Sequence, residues 1–200
     1  MSSTAFCFDL DGTVTTTEIL PCIASELGIA DEMAVLTRFT MDGHIPFASS
    51  FKLRCLLLGQ IPIERVRNIV AQVPLDPKIV EFIQSHSKDC YIVTGNLDIW
   101  IEPLIKILGC QFYSSKGVFQ DGMLRVANLI NKADVIPMLK QQGYEKVVAI
   151  GDGANDAAML AQADVGIAYA GVHAPANTAL TSSNVLVYES SVLCHLLKML

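Results

Sequence analysis

The sequence predicts an α/β chain built on a parallel sheet covered by helices. Three observations predict it. Short, continuously apolar runs of about four residues recur along the chain, as expected for strands buried on both faces. Helix start and stop signals fall between those runs. A block of roughly 60 residues with helical periods and no convincing strand interrupts the alternation directly after the first run.

The strand candidates are Ala5–Phe8, Cys90–Val93, Val147–Ile150, Val165–Ala168 and a shorter Val185–Val187. Asp76-Pro77 supplies a cap and first turn, and Asp98 is read as a second cap. Gly109 and Gly143 stand where a helix would end, and Asn131 is read as the cap of a helix over Ala133–Gln142. Phe119–Leu124 has the Asp-Gly centre of a tight hairpin. In the helical block, segments are expected at Glu18–Leu27, Asp31–Thr40, Pro46–Leu58 and Pro62–Gln72. The block is too long for a crossover helix, so 15–73 is read as an inserted helical-bundle cap and 1–14 with 74–200 as the catalytic core. Ligands of open α/β sheets bind at the carboxyl ends of strands, so an insert hung from the first strand would lie over the site.

Composition narrows the function. Hydrophobic residues make up 52% of 200 and charged residues 17%, which excludes a disordered chain. Fourteen basic against 20 acidic residues leave −6, with no basic run, a poor balance for a nucleic-acid binder. An anionic substrate would need locally placed cations. Mean hydropathy is +0.43. Yet the longest stretch free of Asp, Glu, Lys and Arg, Val165–Tyr188, carries Pro175, Asn177, Asn184 and His173 and is not expected to enter a membrane. Met1-Ser2-Ser3-Thr4 lacks the basic start of a signal peptide. The six cysteines show no Cys-x-x-Cys spacing and read as core residues of a reducing, cytoplasmic protein.

Chemistry concentrates where strands end. The first strand runs into Asp9-Leu10-Asp11-Gly12-Thr13, and crowding two acids there is unfavourable without a cation. An ordinary Asp-Gly turn is the plain alternative. Val147–Ile150 runs into Gly151-Asp152-Gly153-Ala154-Asn155-Asp156, a second acidic strand end, with a glycine-rich turn and helix cap as the alternative. Asp152 and Asp9 together suit a hard divalent cation such as Mg²⁺. Thr94-Gly95-Asn96 offers a hydroxyl and free amides to an anion, or is an ordinary loop. Lys132 opposes the dipole of the helix it opens, which a phosphate would explain and simple exposure would also permit.

In this order, Asp-x-Asp-Gly-Thr at 9–13, Thr94, Lys132 and Gly-Asp-Gly-x-Asn-Asp at 151–156 resemble the haloacid dehalogenase superfamily of aspartate-nucleophile phosphatases over nearly the whole chain. The resemblance implies a Rossmann-like core, Mg²⁺ and a phosphoaspartyl intermediate. Asp9 would be the nucleophile and Asp11 the general acid and base. Asp9, the Asp11 carbonyl and Asp152 would hold the metal, with Asp156 and Thr13 behind them. Thr94, Gly95, Lys132 and Asn155 would hold the phosphoryl group.

The cap sharpens the resemblance to phosphoserine phosphatases of that superfamily. Phe47, Phe51, Arg54 and Leu58 share a helix face, and an arginine on an apolar stripe either snorkels at its edge or meets a substrate carboxylate. Glu18 fits a capping box with Thr15, or faces the cleft. Met41 and Phe47 belong to the segment Thr40–Phe47 that resembles the cap helix of those enzymes, whose arginine binds the carboxylate, and Glu18 lies where they carry the glutamate for the amino group. The implied substrate is a small phosphorylated metabolite, O-phospho-L-serine first. Other phosphate esters, transfer to an acceptor alcohol, or a receiver that only accepts phosphate are the alternatives. The chain departs from the pattern at Gly12 (often Ser), Thr94 (usually Ser), Asn96 (usually Gly) and in a short segment between Gly109 and Lys132.

Overall fold

A computed structural model describes residues 4–200, so the leader reading of Met1–Ser3 lies outside the described residues. The chain folds as a seven-stranded sheet flanked by helices, with strands β1 (Thr4–Phe8), β2 (Cys90–Leu97), β3 (Gln111–Gln120), β4 (Met123–Asn128), β5 (Lys146–Gly151), β6 (Val165–Tyr169) and β7 (Val185–Val187). Their order is β4-β3-β2-β1-β5-β6-β7, and every pairing is parallel except β3 with β4.

The two-residue period of β1 explains its central place. Phe6 and Phe8 enter the core on one face of the sheet, Ala5 and Cys7 the core on the other. All four are buried, so β1 must be covered on both sides. The helices α5 (Pro77–Ser85), α6 (Asp98–Leu108), α7 (Val135–Gln141), α8 (Ala157–Gln162), α9 (Asn177–Ser182) and α10 (Ser190–Leu197) accompany the strands. Helices α1 (Ile19–Ala24), α2 (Ala30–Met41), α3 (Phe47–Leu58) and α4 (Ile63–Val70) precede α5 and pack on one another. The chain enters and leaves this group side by side: Thr16 N donates to Pro74 O and Asp76 N to Val14 O, both at 2.9 Å.

Several local expectations hold. Asp76 Oδ1 accepts from Lys78 N and Ile79 N, with Pro77 as the first residue of α5. Gly109 closes α6 in the left-handed region, and Asp121-Gly122 turns the hairpin with φ of 51° and 74°. Other details differ. β2 runs on through Thr94-Gly95-Asn96 to Leu97, because β3 pairs with it past a bulge between Thr94 and Leu97. β3 escapes the periodicity because its residues are largely exposed and polar. Asp98 lies inside α6 rather than before it, and its Oδ1 accepts from Ile99 N and from Gly117 N of β3. No capping box forms at α1. Thr15 Oγ1 accepts instead from Gly12 N, and the Ile19 amide is met by Asp11 Oδ1 at 2.8 Å. The stretch after Asn131 starts as a 3₁₀ turn, Lys132–Asp134, before α7. The six cysteines are free. Among the described residues no helix is long and apolar enough to cross a membrane.

Candidate active site

Because β2, β1 and β5 are parallel neighbours, their carboxyl ends meet on one edge. Phe8 lies opposite Ile92 and Ile150, so the next residues of the three strands converge there. Asp9 N donates to Ile150 O at 2.9 Å, which continues the ladder one residue beyond β1 and points the carboxylate into the edge. One cleft is lined by Asp9, Asp11, Thr94, Gly95, Asn96, Asp152 and Asn155 from the core, and by Glu18, Met41, Phe47 and Arg54 from the preceding helical group. The sequence reading put most of these residues at a site, and the fold brings them together.

Lys132, Asp156 and Thr13 lie beneath or beside that cleft. Lys132 Nζ contacts Asp9 Oδ1 at 2.6 Å and Asp156 Oδ1 at 2.5 Å, with all three side chains buried. The lysine thus neutralises carboxylates at the helix start, which answers why it opposes the dipole. Asp156 Oδ2 accepts from the Asp152 and Gly153 amides and so fixes the Gly151–Gly153 turn. At Gly151 an added Cβ would lie 2.6 Å from the Asp156 carboxyl carbon, so only glycine admits that approach. Thr13 Oγ1 donates to Asp152 Oδ1 at 3.0 Å.

Negative charge exceeds positive charge in this buried space. Burial pushes Asp9 up to about 7, Asp156 adds to the rise and Lys132 opposes it. Burial and Glu18 hold Asp11 well above the usual carboxylate range. Burial, then Asp9 and Asp156, do the same for Asp152. For Lys132, burial works against the ammonium, but Asp156 and Asp9 outweigh it and raise its pKa. Burial lowers the pKa of Arg54, whose Nη1 donates to Thr37 Oγ1 at 2.9 Å; among the described residues it has no carboxylate partner.

The arrangement fits a divalent cation. Asp9, Asp152 and Asp156 bring carboxylate oxygens within 4.8 Å of one another, and Asp152 Oδ2 is buried with no hydrogen-bond partner, its one basic neighbour at ion-pair distance among the described residues being His173 Nδ1 at 3.4 Å. An all-oxygen, carboxylate-rich donor set suits a hard ion.

The sequence reading gave no side-chain role to five contributors. Asn96 Nδ2 donates to Asp11 Oδ2 at 3.4 Å and its amide to Thr94 Oγ1 at 3.2 Å. Thr37 holds Arg54, while Thr40 and Ser50 bond each other at 2.7 Å and tie α2 to α3. His173 Nε2 sits 2.8 Å from Glu18 Oε1. Asn96 and His173 carried a signal, since each lies at or just after a strand that ends on the same edge as the acids.

A model of the haloacid dehalogenase-like hydrolase family matches residues 6–161. The chain belongs to that family. Within it, the chain is similar to the phosphoserine phosphatase of Archaeoglobus fulgidus, 30% identical over 175 residues, covering 81% of this chain and 51% of that one. It is 29% identical to the phosphoserine phosphatase of Methanocaldococcus jannaschii over the same length, covering 81% and 83%. The human phosphoserine phosphatase is 27% identical over 187 residues, covering 85% of this chain and 83% of that one. The chain therefore spans about half of the Archaeoglobus relative and most of the other two. Its fold matches, over the full length of both chains, a structure described as a phospho-aspartyl intermediate analogue of phosphoserine phosphatase, with a TM-score of 0.84 at 22% identity.

Proposed function

We propose that this chain hydrolyses a small phosphate monoester through a phosphoaspartyl intermediate, with O-phospho-L-serine as the favoured substrate and L-serine and phosphate as products. The observation that carries the reaction is the pairing of two carboxylates from one turn, Asp9 and Asp11, in a single cleft beside a buried lysine. Asp9 attacks phosphorus. Asp11, whose burial and neighbouring Glu18 favour its protonated form, gives that proton to the departing alkoxide oxygen. The same group, now ionised, takes a proton from water as the water attacks the phosphoryl group on Asp9, which restores both residues.

Neighbouring groups serve those steps. Asn96 and the Ile19 amide hold the Asp11 carboxyl through both of its oxygens. Lys132, already 2.6 Å from Asp9, remains beside any oxygen transferred to it. Thr94, the Gly95 amide and Asn155 line the same pocket and bind the other phosphoryl oxygens. Asp9, the Asp11 carbonyl and Asp152 would hold Mg²⁺, which when bound supplies positive charge against the transferring phosphoryl group.

Arg54 and Glu18 support the substrate. A buried guanidinium without a carboxylate partner is costly, and a substrate carboxylate satisfies it through two oxygens. Glu18 on the same wall would take the substrate's ammonium. The segment 15–73, with helices α1 to α4, acts as the cap that brings both groups over the core. Six free cysteines suit a reducing cytoplasm. The test is phosphate release from phosphoserine with Mg²⁺, with chelator and in Asp9→Asn. Turnover of other esters with none of phosphoserine would overturn the substrate; full activity of Asp9→Asn would overturn the reaction.

A further inference from the structure

We infer that His173 is a specificity-determining positioning residue, which anchors the Glu18 carboxylate in the cleft so that it recognises the cationic end of the substrate. The inference rests on the reading of Glu18 as the ammonium acceptor. His173 lies in the loop after β6 (Ala170–Pro175), 155 residues from Glu18 in sequence, and Nε2 is 2.8 Å from Glu18 Oε1. That bond takes up Oε1 and leaves Oε2 as the acceptor for a ligand.

Two further observations give the pair its meaning. The first is the room made for the imidazole. A Cβ at Gly12 would lie 3.2 Å from His173 Cε1, 3.2 Å from Asp152 Oδ2 and 3.4 Å from Glu18 Oε1, on a backbone with φ of +80°. Glycine at 12 and histidine at 173 therefore fit one another as a pair.

The second is what lies behind Glu18. A separate cavity, between α2 and the 173–176 loop, is lined by Glu18, Arg38, Asp42 and His173. Arg38 is exposed and forms no ion pair among the described residues. Without the imidazole, the Glu18 carboxylate is free to turn into that cavity, towards the Arg38 guanidinium that lines it with Asp42. His173 closes that route. A hydrogen bond to a charged group fixes one rotamer of a side chain that otherwise has several.

The test compares O-phospho-L-serine with 3-phosphoglycerate, which carries a hydroxyl in place of the amine, in wild type, His173→Ala and His173→Gln. Glutamine keeps an N–H donor near the Nε2 position. We expect His173→Ala to raise KM for phosphoserine about tenfold, with a smaller change in kcat, so that the preference for the amine-bearing ester collapses. His173→Gln should recover most of that preference. Retention of the wild-type preference in His173→Ala overturns the inference while leaving the substrate reading intact. So does an equal loss on both esters that glutamine does not repair. A wild type with no preference for the amine overturns the reading of Glu18, and the inference with it.

Discussion

Phe47 rests directly on Gly95: a Cβ at residue 95 would lie 2.4 Å from Phe47 Cζ. The ring, stacked on Phe51 at 5.3 Å between centroids, brings α3 against the carboxyl end of β2. Gly95→Ala should therefore lift α3 away from β2. Overpacking of this kind costs about 1–3 kcal/mol, expected here as a several-fold rise in KM for phosphoserine. Gly95→Ala combined with Phe47→Leu should regain part of it. Steady-state kinetics of the single and double variants check this, and a double variant no better than Gly95→Ala would contradict the contact.

Arg54 costs the fold stability that a ligand carboxylate would restore. Its guanidinium is buried without a carboxylate, and replacing such a charge by an apolar chain of similar length is often neutral or stabilising. Arg54→Met should melt within about 3 °C of wild type or above it. Its kcat/KM for phosphoserine should fall by about two orders of magnitude, the scale of losing a buried charged partner. An aryl phosphate without a carboxylate should lose far less. Calorimetry and a two-substrate comparison measure both halves.

Asp11 should separate the two chemical steps. Asp11→Asn keeps the shape and an acceptor for the Ile19 amide, but gives up the acceptor that meets Asn96 Nδ2 and removes the proposed proton-transfer group. Loss of general acid–base catalysis corresponds to about 10²- to 10⁴-fold in kcat. An ester whose leaving group needs no protonation should load Asp9 and then stall, seen as a burst of alcohol release in rapid-quench experiments.

The acid cluster predicts how pH and metal act on stability. Asp9 has a folded-state pKa of about 7 against an ordinary 3.8, chiefly because it is buried, with Asp156 adding to the rise. The folded protein therefore holds a proton that the unfolded chain has released. The stability from that proton is fully present below about pH 4 and is lost as pH rises towards about 7. A divalent cation bound at the cluster replaces the proton and removes the loss. Thermal melts with Mg²⁺ and with chelator should thus diverge as pH rises from about 5.5 to about 8. A metal-dependent gain that stays constant over that range would contradict this electrostatic account.

The parts legible in the sequence are those set by short-range chemistry. Asp9, Asp11 and Asp152 stood out because acids placed directly after apolar strands have few structural uses, and the fold brings them to one edge. Arg54 stood out because it interrupts an apolar helix face, and it is buried. Partners supplied by distant chain were not legible. Glu18 and Thr15 fit a local capping box, yet the Ile19 amide is taken by Asp11 and Glu18 meets His173 across 155 residues. Likewise Thr94–Asn96 reads as a loop until β3 pairs alongside it, and β3 is too exposed to announce itself through hydrophobic period.

Chemical trapping of the phosphorylated side chain tests the central claim most directly. Enzyme quenched during turnover of phosphoserine, then reduced with borohydride and sequenced by mass spectrometry, should show Asp9 converted to homoserine. The label should vanish in Asp9→Asn and accumulate in Asp11→Asn given an activated ester. Turnover with no reducible acyl phosphate in either background, or a label on a residue other than Asp9, would contradict the account.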